Sequence, residues 1–123
     1  MWYIQTTVGI NNNWLSYSIP AKFDTGASIS LFPKRIAEDL EVEEVLSYEF
    51  YGVVRNKQCI VPVEITSVDL KFNDNFGNEI ELEICWVSFT DLERAPVLLG
   101  YKDVLERMNF SYLKNSGKLE IEI

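Results

Sequence analysis

The stretch Pro20-Ala21-Lys22-Phe23-Asp24-Thr25-Gly26-Ala27-Ser28-Ile29-Ser30-Leu31-Phe32-Pro33 decides how this chain is read. One apolar strand runs into Asp24-Thr25-Gly26 and another leaves it. Asp24 presents a carboxylate at a loop tip, and Thr25 offers a short hydroxyl to nearby backbone. Gly26 lets a second backbone come close and permits a φ that other residues avoid. A single carboxylate cannot both activate a water and protonate a leaving group well. Two carboxylates side by side can, because like charges resist joint ionisation and share one proton. One member is then basic and the other acidic at the same pH. Asp-Thr-Gly occurs once in this chain and Asp-Ser-Gly not at all.

Outward from this loop, strand signals dominate. Residues 2–8 and 14–23 are rich in β-branched and aromatic types, with a polar bend over Gly9 to Asn13, and predict a hairpin. Pro33 is placed to open a short helix over 34–40, where Ile36, Ala37 and Leu40 share a face. Residues 44–66 predict a second hairpin, its polar tip near Arg55, Asn56 and Lys57, with Gly52 in its first arm. A third joins 68–74 to 80–89, where Ile80, Leu82, Ile84 and Trp86 alternate with polar residues. An apolar strand ends at Gly100. A second short helix is predicted over 101–110 from Val104, Leu105 and Met108. A turn and an alternating strand over 113–123 close the chain. Seven or more strands against two short helices make an all-β protein, read as one domain over 1–123.

Composition narrows the function. The chain has 123 residues, 47% apolar and 24% charged, ordinary values for a soluble globular protein. Eleven Lys+Arg against 19 Asp+Glu leave a net charge of −8, which argues against a nucleic-acid or anionic-membrane partner. There is no histidine, which removes Ser-His-Asp and Cys-His mechanisms and histidine zinc sites. Cys59 and Cys85 stand 26 positions apart without a CxxC and read as two buried strand thiols. No metal or cofactor is called for. The N-terminus lacks the basic and apolar regions of a signal peptide, and no run approaches the ~18 apolar residues of a membrane span. A cytoplasmic location is the expectation.

Three segments together resemble the retropepsins, the single-domain aspartic peptidases of retroviral type. The first is Phe23-Asp24-Thr25-Gly26-Ala27-Ser28-Ile29-Ser30, the second Pro96-Val97-Leu98-Leu99-Gly100 leading into a short helix, and the third a glycine-bearing hairpin from Tyr48 to Ile60. The resemblance runs from about residue 5 to residue 123. It implies an acid-protease barrel that is half of a two-lobed pepsin-like architecture, acting as a homodimeric peptidase. It implies catalytic Asp24 from each subunit, with Thr25 and Gly26 in the same motif and Thr25 locking the two loops across the axis. The 48–60 hairpin would be the flap over a peptide substrate. Ala27, Ser28, Gly52, Val53, Val54, Val97 and Leu98 would then line the substrate groove.

Two positions depart from the retroviral pattern. An acid two residues after the motif glycine and a base after the C-terminal glycine commonly form an ion pair; here they are Ser28 and Tyr101. The terminal strands WYIQTTV and KLEIEI are candidates for an interface sheet, pairing within one subunit being the other reading. The competing functional reading is a catalytically silent dimerisation or protein-interaction module; an unrelated β-barrel binding domain is a third.

Overall fold

The computed structural model describes residues 2–42, 46–51, 60–74, 77–92, 95–113 and 118–122. Strand β1 (Trp2–Ile10) turns into the short β2 (Asn13–Trp14), and β3 (Ile19–Phe23) follows. The bend is a two-residue turn in which Asn11 and Asn12 both take positive φ, 50° and 64°. Asparagine tolerates that conformation, and such a turn matches the twist of the strands it joins. The predicted 14–23 strand is broken at 15–18, so β3 carries the pairing with β1, from Trp2↔Phe23 to Thr6↔Ile19.

After the Asp24 loop come β4 (Leu31–Pro33) and helix α1 (Lys34–Asp39). The helix starts directly after Pro33, its extended N-cap residue, and stops within two turns. Glu41 at φ 56° donates its N–H to the Glu38 carbonyl, while Val42 donates to Ala37. This is a Schellman-type stop with glutamate where glycine is usual. Ile36 and Ala37 bury the inner face of α1.

Strands β5 (Leu46–Tyr51) and β6 (Ile60–Asn73) form the second predicted hairpin; its tip, with Cys59, lies outside the described residues. The expected break near residue 67 is absent: β6 is one strand of 14 residues. It pairs successively with β5, with β7 (Glu79–Thr90) and with β1. That last pairing, Gln5↔Asn73 to Gly9↔Asp69, closes a six-strand ring in the order β1-β3-β8-β4-β7-β6, with β8 being Leu98–Leu99. Closure removes the exposed edges that an open sheet of this kind would leave. Val8, Ala21, Phe32, Leu70, Phe72, Phe89 and Leu99 fill the barrel, and Ile36 and Leu40 pack from α1.

Strand β7 departs from the expected alternation. Leu82 is buried, yet Ile84 is 66% and Trp86 49% exposed, while Cys85, Val87 and Phe89 face the core. Glu83 and Ile84 together oppose Asp69 of β6, and Ile84 takes φ 55°. This bulge shifts the period by one residue. The Asp69 carboxylate accepts the Ile84 N–H at 2.9 Å, and Arg107 donates to the Glu83 and Ile84 carbonyls at 2.8 and 3.1 Å. Polar groups released from the ladder thus keep partners.

The predicted helix over 101–110 is a turn followed by a single 3-10 turn, Leu105–Arg107. Asp103 takes φ 63°, which no right-handed helix accommodates, and its carboxylate accepts the Trp86 N–H at 2.7 Å. Val104, Leu105 and Met108 are still buried, so the spacing was a true burial signal in a tighter conformation. The chain ends in β9 (Asn109–Leu113) and β10 (Lys118–Glu122), a two-stranded sheet of their own. Of the two terminal segments expected at an interface, WYIQTTV is thus committed to the barrel. KLEIEI, among the described residues, pairs only with β9.

No helix among the described residues is long and apolar enough to cross a membrane.

Candidate active site

Strands β3 and β4 are joined by the Asp24 loop but do not pair with each other. Strand β8 lies between them, parallel to β3 through Lys22↔Leu98 and Phe23↔Leu99 and antiparallel to β4 through Leu31↔Leu98. The two apolar motifs, far apart in sequence, are therefore neighbours at the mouth of one loop.

Five hydrogen bonds fasten that loop to the 97–102 segment. Lys22 N–H donates to the Val97 carbonyl (2.8 Å) and Asp24 N–H to Leu99 (3.1 Å). Tyr101 N–H donates to Ala27 (2.8 Å) and Lys102 N–H to Ser28 (2.9 Å). Gly100 N–H donates to the hydroxyl of the fully buried Ser30 at 2.9 Å. Gly100 has no room for a side chain: a Cβ there would lie 2.3 Å from the Ile29 carbonyl group. The positions of the missing ion pair, Ser28 and Tyr101, are thus joined to this junction through backbone.

The Asp24 side chain is half-buried at the loop. One oxygen accepts the Gly26 N–H at 3.0 Å, an Asx-type arrangement that fixes the side chain. A Cβ on Gly26 would stand 3.3 Å from that same oxygen. Gly26 does not take a positive φ; its lack of a side chain serves the carboxylate's space and not an unusual backbone turn, as the sequence had suggested. The other oxygen is 3.9 Å from the Lys22 ammonium. Thr25 and Gly26 are exposed, Ala27 is half-buried and Ser28 exposed.

Val97 and Leu98 are both half-buried beside the loop. Gly52, Val53 and Val54 lie outside the described residues. The structure therefore brings Asp24, Thr25, Gly26, Ala27, Ser28, Val97 and Leu98 together at one end of β3 and β8. Sequence reasoning gave no role to Lys22 or Ser30, and quoted Gly100 only as the end of the second apolar motif. The period-2 alternation of β3, which puts residues 22 and 24 on one face, is the signal that would have found Lys22.

No family model and no curated protein matches this chain. Among solved structures, the chain is similar to EIAV protease complexed with the inhibitor HBY-793, at 19% identity over 86% of this chain and 88% of that one, with a TM-score of 0.47. It is also similar to a retropepsin-like aspartic protease from Rickettsia conorii, at 18% identity over 98% of this chain and 95% of that one, with a TM-score of 0.57. The second likeness spans nearly the whole of both molecules and agrees with the six-strand barrel and the few helical turns among the described residues, so the chain has a retropepsin-like fold.

Proposed function

We propose that this chain, as one domain over 1–123, is a homodimeric aspartic endopeptidase. The observation that carries the reading is the Asp24 half-site. Its carboxylate is oriented by the Gly26 N–H on a loop anchored from below, while Thr25 and Gly26 stay at the surface. A second copy meeting that surface about a two-fold axis would oppose Asp24 to Asp24.

The dyad holds one proton and a water between its carboxylates. The ionised member takes a proton from the water as its oxygen attacks the scissile carbonyl. The protonated member gives its proton to the leaving nitrogen as the C–N bond breaks. No covalent intermediate with the protein forms. Substrate lies extended along Ala27, Ser28, Val97 and Leu98, with strand-like backbone hydrogen bonds.

Sedimentation together with digestion of a denatured-protein mixture tests this. A dimer whose cleavage is blocked by pepstatin-type inhibitors, and an Asp24→Asn variant that stays dimeric but cuts nothing, are the expected results. A strict monomer overturns the reading, as does an Asp24→Asn variant with undiminished cleavage. A dimer that cuts nothing identifies a silent interaction module.

A further inference from the structure

The retropepsin-like fold does not explain a lysine two residues before Asp24. On β3, Ala21 and Phe23 point into the barrel, so Lys22 and Asp24 share the outer face. The Lys22 ammonium lies 3.9 Å from an Asp24 oxygen, and both side chains are more than two-thirds covered, at 28% and 29% exposure. Lys22 is flanked in register by Tyr3 of β1 and Leu98 of β8. Paired strand residues project to the same side of a sheet, so Tyr3, Lys22 and Leu98 form one row beside the carboxylate. Tyr3 is 60% exposed and Leu98 half-buried. The row sets one cation between an aromatic and an aliphatic side chain.

We propose that Lys22 is a specificity-determining residue of the Asp24 site, selecting peptides with an aspartate or glutamate next to the scissile bond. This rests on the endopeptidase reading above. A peptide bond held at Asp24 places the neighbouring substrate side chain along the Tyr3–Lys22–Leu98 row. A neutral side chain there offers the ammonium at most an uncharged acceptor. A carboxylate offers a charge-assisted bond to a partly desolvated cation, which is stronger than a neutral contact. Two-fold symmetry supplies one Lys22 on each side of the bond, so the preference holds for both flanking residues. The chain's net charge of −8 opposes acidic peptides at long range, where salt screens it; Lys22 acts at contact distance, where screening is weak.

The test digests a proteome-derived peptide library with the full-length protein and sequences the products by mass spectrometry. A synthetic peptide built on a well-cut sequence then carries Glu or Gln beside the scissile bond. For the wild type, Asp and Glu should be enriched at the two flanking positions, and kcat/KM should favour Glu over Gln by about tenfold. Lys22→Met should bring that ratio to about one, Lys22→Arg should restore it, and Lys22→Glu should invert it. An unchanged ratio in Lys22→Met, even with slower turnover of both peptides, overturns the proposal and leaves the peptidase reading standing; Lys22 would then serve only to position Asp24. A wild-type dimer that cuts no peptide in the library overturns both.

Discussion

Ser30→Ala removes one oxygen from the fully buried junction beneath the Asp24 loop. The Ser30 hydroxyl is the acceptor for Gly100 N–H at 2.9 Å, and Gly100 is itself buried. Alanine fits the same space, so no clash confuses the result. What remains is a buried N–H without its partner, which costs about 1–3 kcal/mol. For 123 residues, an unfolding entropy of roughly 2.1 cal/mol/K per residue makes each kcal/mol worth about 4 °C. Thermal unfolding at fixed protein concentration should therefore shift down by about 4–12 °C. Concentration must be held constant because any self-association adds to apparent stability. Ser28→Ala, at an exposed position of the same loop, is the control and should move Tm by less than about 2 °C. Cleavage by Ser30→Ala at a temperature well below its Tm should also fall, because Gly100 anchors the strand that carries the Asp24 N–H contact to Leu99. A Ser30→Ala protein that melts with the wild type would refute the claim that this bond holds the junction.

Two further predictions concern β7. Ile84 is a β-branched residue at φ 55° and 66% exposed, so Ile84→Asn should relieve about 1 kcal/mol of backbone strain at little cost in burial. The urea midpoint should rise; a lower midpoint would show that the Ile84 side chain is worth more than its strain. Burial pushes the Cys85 thiol from 9.0 up to about 12, against the opposing pull of the Arg107 guanidinium and with support from Asp103 and Asp69. The unfolded thiol ionises first, so this contribution is whole below pH 9 and is lost as pH rises from 9 toward about 12. Comparing urea midpoints at pH 8 and pH 10.5, roughly the two sides of that onset, should show a smaller alkaline loss in Cys85→Ala than in the wild type. Equal losses would mean that Cys85 ionises as freely folded as unfolded.

The fold and the loop of the candidate site were legible where local chemistry sets structure. Asp24-Thr25-Gly26 between apolar strands, Pro33 before α1, and the Asn11-Asn12 turn all act within a few residues of themselves. The Ile84 bulge was not legible, because nothing within β7 announces it. Ile80, Leu82, Ile84 and Trp86 alternate without fault in sequence, and only Asp69, Asp103 and Arg107, brought in from other elements, hold Ile84 outward. The same network explains the missing helix over 101–110. Asp103 is recruited to the Trp86 N–H, and its positive φ ends any helical turn before one can propagate. A spacing argument sees which residues are buried, and Val104, Leu105 and Met108 are. It does not see which conformation buries them when a distant strand needs a carboxylate.

The five bonds under the Asp24 loop ask little of the residues that make them. Four of them join main chain to main chain, and such bonds ask almost nothing of the side chains involved. Only the Ser30 hydroxyl and the absent side chain of Gly100 are specified by residue type. A chain can therefore lose a side-chain ion pair between the positions of Ser28 and Tyr101 and keep this junction, since Lys102 N–H still reaches the Ser28 carbonyl and Tyr101 N–H the Ala27 carbonyl. Steric need at Gly100 is stricter than any charge at its neighbour. Gly100→Ala, placing a methyl group 2.3 Å from the Ile29 backbone, must push β8 away from the Asp24 loop, whereas no substitution at exposed Tyr101 short of proline touches the bonds that hold it.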